Sequence, residues 1–152
     1  MAMEIIFNNL DRIRTNRGLS ISELSKVSGY SRKSITKLLS RNTNFGTRLA
    51  ITVRMAEVLD VDFKKLFKRG EADYGSFDTE YTAERYLECF VNNVNSKLSD
   101  KYRYSIRTES GLSQSTISDL LNGKTRNPKI HTLLNIANSI EIPIEKLFEE
   151  VE

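Results

Sequence analysis

The sequence predicts an all-α fold built as two tandem helical units. The first observation is a repeat: Glu23–Leu39 recurs as Ser105–Leu121, at an offset of 82. Ser28/Ser110, Gly29/Gly111, Ser31/Ser113, Ile35/Ile117, Leu38/Leu120 and Leu39/Leu121 coincide. The second is the scarcity of breakers, with seven Gly and two Pro in 152 residues. The third is size: 39% hydrophobic content over this length suits one ordinary domain or two small ones. The repeat decides for two, over 1–70 and 81–152, with 71–80 as a linker. A unit of roughly 70 residues folds alone only if its core is well packed.

In the first unit, Ile5, Ile6, Leu10 and Ile13 have helical spacing and define helix 1. Ser20 caps helix 2, and Glu23, three residues on, completes a capping-box pattern. Gly29 supplies the turn, where a positive φ is expected. Ser31 caps helix 3, whose inward face is Ile35, Leu38 and Leu39. A polar loop, Arg41–Gly46, leads to helix 4 with Leu49, Val53, Met55 and Ala56. Leu59, Val61, Phe63, Leu66 and Phe67 close the unit through a short fifth helix starting near Asp62.

Arg69–Asp78 reads as the linking stretch, with Gly70 and Gly75 as breakers. Thr79 is expected to cap a long helix through Leu98, with Tyr86, Leu87, Phe90, Val91, Val94 and Leu98 as its apolar stripe. Helix 2 of the second unit falls inside Arg103–Glu109, and helix 3 starts at Gln114. Asn122-Gly123 stops helix 3. Pro128 is expected in the first turn of helix 4, where its missing N–H does no harm. Leu133, Leu134, Ile136, Ala137, Ile140, Ile142, Ile144, Leu147 and Phe148 mirror the end of the first unit. Lys146-Leu147-Phe148 matches Lys65-Leu66-Phe67 at an offset of 81, because the loop after helix 3 is one residue shorter.

A short helix, a glycine turn and a second, capped helix make a helix-turn-helix, a motif that sets its second helix in the DNA major groove. The run Ser110–Lys124 and the run Asn127–Ala137 resemble the core signature and helix 4 of the lambda-repressor-like, Cro-type helix-turn-helix family. Gly18–Leu39 and Met55–Phe67 resemble it in the first unit. The resemblance implies two tandem five-helix domains, binding to double-stranded DNA, and a phage or mobile-element regulator. That family often places a glutamine at the start of helix 2, bracing the recognition helix and reaching a phosphate. Here Ile21 and Arg103 stand at those positions; Ile21 cannot do that work, and Arg103 suits a phosphate.

Charge separates the units. Residues 1–70 hold 14 Lys+Arg against 6 Asp+Glu, a net +8. Residues 71–89 hold one Arg against six acids, and 90–152 balance at eight each. A basic first unit points to a polyanionic partner, although a merely solvated basic surface has the same composition. In that unit Arg32, Lys33, Ser34, Thr36 and Lys37 are the candidate DNA contacts, with Arg41 just beyond. Arg or Lys facing guanine O6/N7 is the commonest specific contact. The matching positions in unit two are Gln114, Ser115, Thr116, Ser118 and Asp119. Gln114 suits adenine, Thr116 a thymine methyl, and Lys124 and Arg126 suit phosphates. Asp119 faces a duplex unfavourably unless it accepts from a cytosine amine. Ser31 and Ser113 serve first as caps, and Thr36 and Ser118 are equally consistent with solvated positions.

Other features read more plainly. The lone Cys89 permits no internal disulfide or cysteine zinc cluster and suits a helix face as a small hydrophobe. His131 has no companion ligands for a metal. No nucleophile–base set, phosphate loop or carboxylate pair emerges, so neither an enzyme nor a cofactor is expected. No apolar run approaches the roughly 18 residues that span a bilayer, and Met1–Phe7 lacks the pattern of a signal peptide, which suggests a cytoplasmic protein. Glu71–Glu88 mixes acids with Tyr74, Phe77, Tyr81 and Tyr86. It reads as a linker plus a packing helix face, or as a docking patch for a protein partner or for the basic unit of a neighbouring chain.

The expected function is a sequence-specific transcriptional regulator, a repressor acting by promoter occupancy. The rival is an antitoxin or anti-CRISPR-like inhibitor whose second unit binds a protein while the first autoregulates at DNA. Two geometries remain, a pseudo-dimer within one chain or a homodimer. The unlike recognition helices favour the homodimer.

Overall fold

The structure is a computed structural model that describes residues 2–40, 46–70 and 73–150. Every regular element among the described residues is helical. The chain divides into two compact units, Met1–Glu80 and Tyr81–Glu152.

The first unit contains α1 (Ala2–Asn16), α2 (Ile21–Ser28), α3 (Arg32–Leu38), α4 (Leu49–Val58) and a 3-10 helix (Phe63–Phe67). Helix α2 packs on α3 and α4, while α1 packs on the 3-10 helix. Ile6, Leu10, Leu24, Ile35, Leu38, Leu49, Met55, Phe63 and Leu66 form the core. Ser20 caps α2 through the full capping box with Glu23, each side chain taking the other's backbone N–H. Gly29 ends α2 at φ 81°, a left-handed conformation that costs glycine little. The turn is then pinned twice, by Tyr30 N–H donating to Ser28 Oγ (3.2 Å) and Ser25 Oγ donating to Tyr30 O (2.7 Å). The fifth helix begins at an Asp62 cap, as its sequence suggests, but its geometry is 3-10.

The second unit contains α5 (Ala83–Lys97), α6 (Asp100–Glu109), α7 (Gln114–Leu121), α8 (Ile130–Ser139) and α9 (Ile144–Leu147). Tyr86, Phe90, Val94, Ile106, Leu120, Leu133, Ile136, Leu147 and Phe148 form its core, and Cys89 is buried with them. Helix α7 ends in a Schellman motif. Gly123 at φ 77° donates to Leu120 O (3.1 Å) and Lys124 N–H donates to Asp119 O (2.8 Å).

One device recurs that the residue pattern alone does not advertise. Buried Asn9 of α1 donates through Nδ2 to Leu66 O (2.8 Å) and Lys68 O (2.9 Å). Buried Asn93 of α5 donates to Leu147 O (2.9 Å) and Glu149 O (2.6 Å). In both units the first helix holds the orphan carbonyls that end the last one. The offset from Asn9 to Asn93 is larger by two than that from Ser28 to Ser110. The connection between the first two helices is therefore two residues shorter in the second unit, and the equivalence runs past the segment that repeats in sequence.

Four expectations change. Thr82, not Thr79, caps α5, because its side chain accepts from Arg85 N–H while Asp78 turns the preceding chain by accepting from Glu80 N–H. Leu98 is the C-cap of that helix and lies outside its stripe. Helix α6 starts a turn earlier than expected, at a Ser99 cap, so Arg103 is its fourth residue. Pro128 precedes the extended N-cap Lys129 and lies outside the first turn of α8. In addition, the described part of the expected linker is fastened to the first unit. Tyr74 O accepts from Asp62 N–H (2.8 Å), Tyr74 Oη donates to Asn9 Oδ1 (2.8 Å), and Phe77 is buried with its N–H on Asp60 Oδ1 (3.1 Å).

Candidate nucleic-acid interface

Helix α3 is anchored by Ile35 and Leu38, which are buried. Its caps set the rest of its surface. Ser31 Oγ accepts from Ser34 N–H (3.1 Å), which fixes the first turn and leaves Arg32 and Lys33 exposed there. Arg32 Nη1 lies 3.4 Å from Ser22 Oγ of α2, so the guanidinium sits across the face shared by the two helices. Thr36 and Lys37 are exposed one turn further on. Thr36 Oγ1 donates to Arg32 O (2.8 Å), which leaves its methyl and an acceptor lone pair outward. Ser34 is half-buried, and its Oγ accepts from Ser31 Oγ (3.0 Å). Arg41 lies outside the described residues. The structure therefore brings Arg32, Lys33, Thr36 and Lys37 onto one exposed face, with Ser34 at its edge.

Helix α7 repeats this frame. Ser113 caps it by accepting from Thr116 N–H (3.2 Å), and Ile117 and Leu120 anchor it. Gln114, Ser115, Thr116, Ser118 and Asp119 are exposed. Ser115 and Thr116 are partly engaged in a hydroxyl cluster with Ser113, at 3.3 and 2.8 Å between oxygens. Lys124 and Arg126 are exposed in the loop that follows. Arg103 stands on α6 and lines one groove with Gln114.

Two residues near these faces escape a reading by motif. Arg54 of α4 donates from Nε to Ser28 O (3.2 Å) and from Nη2 to Val27 O (3.3 Å), and pairs with Glu57. It covers the C-terminal carbonyls of α2 and so braces the turn into α3. Its equivalent in the second unit is Asn135, whose Nδ2 lies 3.3 Å from His131 Nε2 instead. Arg107 is the other; its only signal in the sequence is its i,i+4 spacing from Arg103.

Residues 108–147 match the helix-turn-helix family model. The match covers α7, α8, α9 and the turn before α7, and it leaves the first unit outside. No curated protein and no solved structure matches the chain. Among the described residues no helix is long and apolar enough to cross a membrane.

In the described part of the acidic-aromatic stretch 71–88, the aromatic side chains are engaged within their own units. Tyr74 and Phe77 are held in the first unit, as above. Tyr81 stacks on buried Tyr86 at 4.9 Å, and Tyr86 meets Phe148 edge-on at 5.9 Å. Tyr81 Oη donates to Glu150 (2.7 Å), and Arg85 pairs with both Glu150 and Glu88. The bond to Glu150, then burial, pushes the Tyr81 hydroxyl up to about 12. Arg85, then Tyr81, hold the Glu150 carboxyl below its usual value. Burial pushes the Cys89 thiol up, away from thiolate character.

Proposed function

We propose that the chain is a sequence-specific DNA-binding transcriptional regulator that represses by occupying a promoter. Both units then act as lambda-repressor-like helix-turn-helix domains, and two chains pair on the site. One observation carries the reading: α3 exposes Arg32, Lys33 and Lys37 on a capped, apolar-anchored helix, with no acid on that helix. Such a surface meets phosphates through charge and guanine edges through paired donors. The helix-turn-helix match of 108–147 supports the same class for the second unit.

A second reading has its own observation. Helix α7 carries Asp119 and no cation. It therefore suits a unit that binds a protein, as in an antitoxin or an inhibitor, while the first unit alone docks on DNA. Selection of bound sequences from random duplexes tests both readings. An enriched inverted pair, with binding weakened in Arg32→Ala/Lys33→Ala, is expected. No enrichment over the input pool would remove the DNA-binding reading. Enrichment that is indifferent to Gln114→Ala/Thr116→Ala would favour the second.

A further inference from the structure

A groove of about 330 Å³ separates α6 from α7 within the second unit. That is near the lower end for small-molecule sites, roughly 300–1,000 Å³. Arg103 and Arg107, one turn apart on α6, form one wall. Gln114 and Ser118, one turn apart on α7, form the other. Half-buried Leu98 and Leu121 supply apolar lining, with the buried side chains of Ile106 and Ile117 beneath. No acidic side chain lines the groove, and no ion pair among the described residues takes up either guanidinium.

Two like charges on one turn repel each other beside an apolar surface, and an anion between them relieves that repulsion. The first unit lacks this arginine pair, since Ile21 and Ser25 stand at the positions equivalent to Arg103 and Arg107. A DNA phosphate would satisfy the guanidiniums and leave the apolar lining unused.

We propose that this groove binds a small organic carboxylate: a carboxylate paired with Arg103 and Arg107, on a small apolar body against Leu98 and Leu121. Gln114 and Ser118 supply polar contacts from the facing wall. Occupancy also competes with DNA, because Gln114 cannot serve ligand and base edge together; this last clause rests on the function proposed above.

The test uses the full chain without DNA. The probe is 8-anilinonaphthalene-1-sulfonate, an anion on an apolar body, followed by fluorescence. Saturable binding is expected, displaced by benzoate and not by inorganic phosphate. Arg103→Gln/Arg107→Gln should weaken it about tenfold, as expected for loss of charge-assisted bonds. Unchanged affinity in that variant, or equal displacement by phosphate, overturns the site. Amide shifts of the wild-type chain on adding benzoate give a readout independent of any variant's folding. They should centre on Ile106, Ile117 and Ser118, and shifts confined to other helices overturn the site. With a duplex selected as above, benzoate should lower DNA affinity. Binding of benzoate with no such effect overturns the coupling alone.

Discussion

Helices α3 and α7 share a frame and differ in what they display. Each is opened by a serine cap and anchored by an isoleucine and a leucine three residues apart. Yet α3 carries Arg32, Lys33 and Lys37, whereas the only charge on α7 is Asp119. Three cations of the second unit, Lys101, Arg103 and Arg107, stand instead on the preceding helix. Position 35 or 117 is fixed by burial, but 32 or 114 faces solvent and is free to change chemistry. The buried frame and the displayed surface are separate requirements, met by different residues of one short helix. The turn before each helix differs as well, since Arg54 braces one and no arginine stands at the equivalent position of the other.

The largest expected effect tests the shared frame. Leu38→Ala and Leu120→Ala remove side chains that are 2% and 1% exposed, and each should cost about 2–5 kcal/mol. Each should lower the melting transition of its own unit, followed by circular dichroism. Unchanged melting of both would mean these helices are anchored by other faces.

The next test addresses the displayed surface. Arg32→Ala/Lys33→Ala should weaken specific DNA binding by roughly 1–3 kcal/mol for each base edge no longer read. The equivalent Gln114→Ala/Thr116→Ala should do less. Anisotropy titrations at several salt concentrations separate base reading from phosphate contact. A uniform loss across sequences with a flatter salt slope assigns Arg32 and Lys33 to phosphates.

The asparagines sharpen the comparison further. Asn9→Ala and Asn93→Ala each leave two carbonyls without their donor, at a cost of about 1–3 kcal/mol per group that stays buried. Urea unfolding should give the larger loss for Asn9→Ala, because Asn9 Oδ1 also accepts from Tyr74 Oη. Equal losses would show that the Tyr74 bond adds nothing to the first clamp.

The smallest effect concerns pH and is read at Tyr81 and Glu150 of the second unit. The Glu150 carboxyl is held low by Arg85 and Tyr81. Its contribution is therefore present above the ordinary carboxylate value and lost as pH falls through the folded one. The Tyr81 hydroxyl is raised, so its contribution holds below about 10 and is lost as pH climbs through about 12. Acid titration of melting should show a term in wild type that Glu150→Gln removes. The same slope in both would assign it to other carboxylates.

Much of this fold is legible because its signals are local. Ser20 with Glu23, Gly29, Ser31 and Asn122-Gly123 act within a few residues of where they stand, so their caps and stops can be read directly. Thr79 and Thr82 are both plausible caps in sequence; the Asp78 turn selects the second. Asn9 and Asn93 resemble surface residues of an amphipathic helix, because their partners lie 54 to 59 residues away. Tyr74 and Phe77 look like linker residues for the same reason. Of the candidate interface, the exposed faces follow from helical spacing. The groove beside Arg107 does not, since it depends on how α6 lies against α7.

The paired asparagines also bear on how the molecule opens. The last turn of a helix ordinarily frays ahead of global unfolding. Here the carbonyls of Leu66, Lys68, Leu147 and Glu149 are tied to the middle of another helix. Each closing helix can leave only by breaking buried bonds to its first helix. Amide protons of Leu66 and Leu147 should therefore exchange with solvent on the timescale of whole-unit opening, which makes each closing helix a reporter of its unit's global stability.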